Sequence, residues 1–228
     1  IAHQWFGNSV TEFDWHHIWL SEGFATYFTS YYLESRYGKK KMENLMQNSR
    51  KRVIRAYENR PAPVIDTTIS NFMRLLNTNS YQKGAWVLHM LREELGNKTF
   101  IAGIRLYYDR FKNSNALTYD FRTVMEEVSG RDLKQFFEQW LYQPYLPELT
   151  MEWEYSPAKK QTTIILKQEQ ESYTFKIPVE IEIISDCRSS ISTVYMNGRK
   201  EVLVLKTDFC PDEVIIDPKV KLLYMNGD

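Results

Sequence analysis

Residues 1–8 read Ile1-Ala2-His3-Gln4-Trp5-Phe6-Gly7-Asn8, and residues 18–28 read Ile18-Trp19-Leu20-Ser21-Glu22-Gly23-Phe24-Ala25-Thr26-Tyr27-Phe28. In the second stretch the apolar residues Trp19, Leu20, Phe24, Tyr27, Phe28 and Tyr31 recur at three and four. That spacing predicts a mostly buried helix, which Gly38 can end. His3 stands before this helix and Glu22 lies on its first turns, with eighteen residues between them. Alone, each has an ordinary structural reading, His3 as a surface or core histidine and Glu22 as a solvated helix residue. Together they matter only if the fold brings them to one point.

Helical periodicity continues outward from this stretch to about Pro147. A basic amphipathic stretch near Lys40 to Tyr57 is closed by Arg60-Pro61-Ala62-Pro63, and Lys39-Lys40-Lys41 reads as a solvated helix start. Tyr81 to Leu95 predicts another helix, with Val87, Leu88 and Leu91 on one face, Asn79 or Ser80 as N-cap candidates and Gly96 as the stop. Asn97 can cap a helix over Phe100 to Phe111. Thr118 opens a further one that ends at Gly130, and Leu133, Phe136, Phe137, Trp140 and Leu141 mark the last, which Pro144 cannot continue.

After Pro147 the period falls to two. Leu149, Met151, Trp153 and Tyr155 alternate with polar residues, and Thr162 to Leu166 and Phe175 to Ile184 are rich in β-branched side chains. Asn197-Gly198, between Val194-Tyr195-Met196 and Val202-Leu203-Val204, predicts a type I′ hairpin. Strands are expected at Val214 to Ile216 and Lys221 to Met225. The predicted fold class is therefore α+β, a helical part over 1–147 and a small β-sandwich over 148–228.

Composition points to no particular partner. Twenty-nine acidic and twenty-nine basic residues cancel, so no net field draws the chain to nucleic acid. No apolar run approaches the length of a membrane span. Cys187 and Cys210 are too few for a disulfide framework and too far apart for a Cys-x-x-Cys pair. They read as two buried thiols or as one bridge in the β part, and they leave the compartment open.

The His3 and Glu22 pattern suits one chemistry. A zinc hydrolase needs three protein ligands and an open position for water, and in H-E-x-x-H the glutamate takes that water's proton. If His-Glu preceded Ile1, the sequence would read H-E-I-A-H, with His3 as second ligand and Glu22 as third.

The residues His3-Gln4-Trp5-Phe6-Gly7-Asn8 and Trp19-Leu20-Ser21-Glu22-Gly23-Phe24-Ala25 resemble the core of the gluzincin zinc aminopeptidases, the alanyl aminopeptidase and leukotriene hydrolase family. There the pattern runs H-E-x-x-H-Q-W-F-G-N, then W-L-N-E-G-F-A; only the Asn differs, standing here as Ser21. Ser80-Tyr81-Gln82-Lys83-Gly84-Ala85 resembles the family's Y-x-K-G-A segment. The resemblance implies the second half of a thermolysin-like domain followed by the family's β-sandwich. It implies one Zn2+ held by His3 and Glu22, with Tyr81 as oxyanion donor, and a peptide substrate with a free N-terminus.

The same resemblance places the first histidine, the general-base glutamate and the G-x-M-E-N segment upstream of Ile1. The expectation is a fragment that alone holds zinc poorly and is inactive until the upstream part completes the site. Two alternatives stand beside it: a leukotriene hydrolase-like epoxide hydrolase on the same scaffold, and a non-catalytic aminopeptidase-like scaffold that binds protein partners. His16 and His17, adjacent on the chain, point about 100° apart if helical and read as packing or outer-contact residues. His89 and the pair Trp5 and Phe6 read as core, and Gly7 and Asn8 as shaping the turn after His3.

Overall fold

The computed structural model describes residues 1–186 and 188–227. The chain divides into two compact units, Ile1–Tyr145 and Leu146–Asp228. Six α-helices are described in the first: α1 (Trp19–Tyr37), α2 (Lys39–Asn59), α3 (Gly84–Leu95), α4 (Asn97–Phe111), α5 (Thr118–Ser129) and α6 (Lys134–Phe137). Two wide π-turns, Asn79–Lys83 and Glu138–Tyr142, lead into α3 and out of α6. Gly38, Gly96 and Gly130 end α1, α3 and α5 at positive φ, where a side chain would be strained.

Aromatic packing holds the unit together. Trp19 and Phe24 of α1, Tyr107 of α4 and Phe121 of α5 are all essentially inaccessible, and Phe121 lies 5.0 Å from both the Phe24 and Tyr107 rings. Such tilted and edge-on pairs add to the stabilisation from area burial alone. The half-buried Arg92 of α3 bonds Glu34 of α1 at 2.5 Å and lies over the Tyr31 ring. His89 is buried between the Tyr27 and Trp86 rings.

Several local expectations are corrected. Two short strands, β1 (Val10–Glu12) and β2 (Ser114–Ala116), pair in parallel inside the helical part. Their partners are a hundred residues apart, so no local period announces them. Asn97 is the first residue of α4 and Gly96 its N-cap; the Asn97 side chain accepts from Arg92 Nε instead. Neither Asn79 nor Ser80 caps α3. Both lie in the π-turn, and buried Ser80 donates to the Leu75 carbonyl. Phe6 is buried, whereas Trp5 is 45% exposed and is not core.

The second unit holds two sheets. One has the order β7 (Lys200–Lys206), β4 (Gln161–Gln168), β3 (Glu148–Ser156), β9 (Met225–Asn226). The other has the order β6 (Arg188–Met196), β5 (Ile177–Ser185), β8 (Glu213–Ile216). Ile164 and Leu166 of β4 and Val179, Ile181 and Ile183 of β5 form buried rows at period two. Of the β3 alternation, Leu149 is buried but Trp153 is 39% exposed. The strand expected over Lys221 to Met225 is reduced to Met225–Asn226.

The expected Asn197-Gly198 hairpin is not formed. β6 pairs with β5 and β7 with β4, so this segment carries the chain from one sheet to the other. Neither residue has the positive φ that a type I′ turn demands. The buried Gln168 side chain donates to the Gly198 and Phe175 carbonyls, while its backbone N–H donates to the Arg199 carbonyl. These distant bonds override the local turn signal. Cys210 is exposed and not a buried thiol; its pairing with Cys187 lies outside the described residues. Among the described residues no helix is long and apolar enough to cross a membrane.

Candidate active site

His3 lies on a short 3-10 turn, Ala2–Gln4, that has no helix of its own to hold it. Phe6 supplies the anchor. Its ring is buried 4.8 Å from Phe24 and stacks at 5.3 Å on Phe28, both on α1. The chain then reverses tightly: Gly7 N–H donates to the Val10 carbonyl, Asn8 N–H to the His3 carbonyl, and Thr11 Oγ1 to the Gly7 carbonyl. Gly7 sits at φ +116°, and a Cβ there would lie 3.0 Å from His3 Nδ1. Only glycine lets the backbone pass this close to the imidazole.

Glu22 is in the first turn of α1, where the partial positive charge of the helix start favours a carboxylate. Asp14 caps the preceding turn through His16 N–H, and Trp19 Nε1 donates to Thr118 Oγ1. Ser21 Oγ donates to the Glu12 carboxylate in a short contact, which ties α1 to β1 immediately beside Glu22. The result is a His3 Nε2 to Glu22 Oε2 separation of 3.1 Å.

The third predicted residue joins them. Tyr81, in the π-turn before α3, lies near Glu22, and its phenol pKa is raised, first by desolvation and then by the neighbouring Glu22 carboxylate. This approach depends on two glycines. A Cβ on Gly23 would meet the Gly84 Cα and carbonyl carbon at 3.0 Å, and one on Gly84 would meet Gly23 Cα at 3.2 Å. The backbones of α1 and of the α3 start therefore touch where each passes beside a site residue. His3, Glu22 and Tyr81 are thus brought together from three separate segments.

The donor chemistry suits a divalent ion. His3 Nδ1 lies 3.2 Å from the Phe6 carbonyl, which can only accept, so Nδ1 carries the proton. The Nε2 edge of the ring then faces Glu22. Two lone-pair donors face each other at 3.1 Å only when a positive centre, a proton or a metal, lies between them. Two ligands each ~2.0–2.1 Å from one tetrahedral zinc are separated by about 3.3 Å, so His3 and Glu22 could hold zinc with little movement. Among the described residues no group of three His, Cys, Asp or Glu side chains converges on such a point.

The other histidines are engaged elsewhere. His16 contacts Asp14 Oδ1, the Ile69 carbonyl and the Phe72 ring. His17 Nδ1 accepts from Thr118 N–H and pairs with Thr118 Oγ1, and burial lowers its pKa, so its neutral form caps α5.

Lys83 stood in the sequence only as a matching position of the Y-x-K-G-A segment, with no role attached. It is essentially inaccessible, its Nζ donates to the Gln143 carbonyl at 3.2 Å, and burial pushes its pKa down to about 7. The sign follows from proton counting. Between about 7 and 10.5 the unfolded chain binds this proton and the folded one does not, so stability rises with pH across that window. Lys83→Met is expected to flatten the dependence of Tm on pH between 7 and 10; thermal melts across that range check it.

Comparisons with known proteins identify the family. Residues 1–140 match the Peptidase family M1 domain. The chain belongs to peptidase family M1. The M1 chain is 28% identical over 224 residues to a glutamyl aminopeptidase of Rattus norvegicus, covering 93% of this chain and 23% of the relative. It is 33% identical over 154 residues to aminopeptidase M1-C of Oryza sativa subsp. japonica, covering 66% and 18%. The fold resembles Legionella pneumophila aminopeptidase A, solved in complex with aspartic acid, at a TM-score of 0.81 and 18% identity, over 99% of this chain and 26% of that one. The M1 chain therefore spans about a quarter or less of these three proteins.

Proposed function

We propose that the complete protein is a zinc-dependent aminopeptidase that removes N-terminal residues from peptides, with this chain supplying the second half of a thermolysin-like domain and the following β-sandwich. The observation that carries this reading is the convergence of His3, Glu22 and Tyr81 in a chain of family M1. His3 would hold the metal through Nε2, with Nδ1 turned to the Phe6 carbonyl. Glu22 contributes the carboxylate ligand. The first histidine and the general-base glutamate belong to the part before Ile1, in the H-E-x-x-H pattern.

When bound, zinc supplies a Lewis acid and lowers the pKa of a water towards neutrality. The chain's own residues do the rest. Tyr81 keeps its phenol protonated at neutral pH, because the neighbouring carboxylate and partial desolvation both disfavour the phenolate. It is thereby available to donate to the oxygen that becomes negative as the scissile carbonyl is attacked. The neighbouring Glu22 carboxylate would keep the hydroxyl beside the ligand pair before substrate arrives.

The test is turnover of aminoacyl amides by the complete protein, with and without a chelator. Tyr81→Phe is expected to lower kcat by roughly 10²–10³-fold, the range typical of losing one oxyanion donor, with zinc content unchanged. Chelator-resistant turnover, or full turnover by Tyr81→Phe, would falsify the assignment.

A further inference from the structure

The two π-turns of the first unit are joined in a closed circuit of hydrogen bonds. Asn79, which opens the first π-turn, donates through Nδ2 to the Ala62 carbonyl. A few residues on, the N–H groups of Val64 and Ile65 both donate to the Leu141 carbonyl inside the second π-turn, each at 3.0 Å. Gln143 ends that second turn, and its carbonyl receives Nζ of Lys83, the last residue of the first. A π-turn widens the i to i+4 ladder, so such turns depend on outside partners and are found most often at functional sites. Tyr81 sits in the middle of the first one.

Resting on the aminopeptidase reading, we propose that Lys83 is a positioning residue for that reaction. Its Nζ, donating to the Gln143 carbonyl, holds the π-turn in the form that presents the Tyr81 hydroxyl to Glu22.

Two further observations support this. Lys83 is fully buried with no carboxylate partner among the described residues, so its charge is a burden on stability that an apolar residue of equal length would avoid. A residue that breaks a stability rule inside a functional turn is one whose gain lies in the function. At 2% exposure its amine is also out of reach of a peptide, so it acts through Tyr81 and not on substrate.

A double-mutant cycle on the complete protein decides the matter. Lys83→Met is expected to leave zinc content and KM unchanged, to keep or raise Tm at pH 7, and to lower kcat about tenfold. On the Tyr81→Phe background the same substitution is expected to lower kcat no further, since a residue that acts only through Tyr81 has nothing left to position. An unchanged kcat in Lys83→Met, or an undiminished tenfold loss in the double variant, overturns the proposal. If Lys83→Met does not fold, Lys83→Gln is carried through the same cycle with the same two outcomes. A wild-type protein without aminopeptidase activity overturns the earlier reading, and this proposal with it.

Discussion

Glu22→Gln in the complete protein is expected to abolish metal-dependent hydrolysis and to weaken zinc binding by more than about 100-fold, beyond the 10–100-fold that loss of an outer hydrogen bond produces. The substitution keeps the shape of the side chain and an oxygen that can accept from Tyr81. What it removes is the negative charge, at the point where His3 Nε2 already stands 3.1 Å away. A neutral amide oxygen beside the imidazole offers a divalent cation little, because zinc draws its protein ligands from thiolate, imidazole and carboxylate. The side chain is only about 15% exposed, so water cannot readily take the lost ligand's place without enlarging the site. Metal analysis after dialysis, together with aminoacyl amide turnover, checks the result. A Glu22→Gln protein that retains stoichiometric zinc after dialysis would remove Glu22 from the ligand set.

The second large effect is expected from Gly23→Ala. Its new methyl would press on backbone atoms, Gly84 Cα and carbonyl carbon at 3.0 Å and the Ser80 carbonyl oxygen at 3.2 Å, none of which can rotate away. Overpacking of this kind costs ~1–3 kcal/mol, against a gain of up to about 1 kcal/mol in helix propensity. The net loss corresponds to a fall in Tm of a few degrees for a unit of this size. The catalytic effect is expected to be larger. Separating α1 from the π-turn moves Tyr81 off Glu22, so kcat falls by at least tenfold while Gly84→Ala, with a 3.2 Å nearest contact, does less harm. Gly103→Ala is the control. Its methyl would meet Met125, but at the flexible thioether end, which can swing aside, and it lies away from the site residues. If Gly23→Ala and Gly103→Ala behaved alike in both Tm and kcat, the glycine crossing would not be what sets the Glu22–Tyr81 approach.

Much of the first unit was legible because its helices are written in apolar spacing and ended by glycine. Gly38, Gly96 and Gly130 stop their helices where expected. The failures share a cause. Asn197-Gly198 is a strong local hairpin signal, but the strands on either side have better partners elsewhere, and Gln168 binds the connection from across the unit. The β1–β2 pair, the capping of α5 by His17 and the Lys83 anchor each join residues far apart in sequence, where periodicity carries no information.

The same division holds for the candidate site. The residue types and spacing around His3, Glu22 and Tyr81 are a property of the chain, and their resemblance to the zinc aminopeptidase segments, not spacing alone, pointed to metal-assisted hydrolysis. The distances are not. His3 reaches Glu22 because Phe6 packs on Phe24 and Phe28, and Tyr81 reaches Glu22 because two glycines let backbones touch. Chemistry is carried by side chains that can be read one at a time, whereas approach is set by packing, which depends on the shapes of residues distant in the chain and is decided only when all of them are in place.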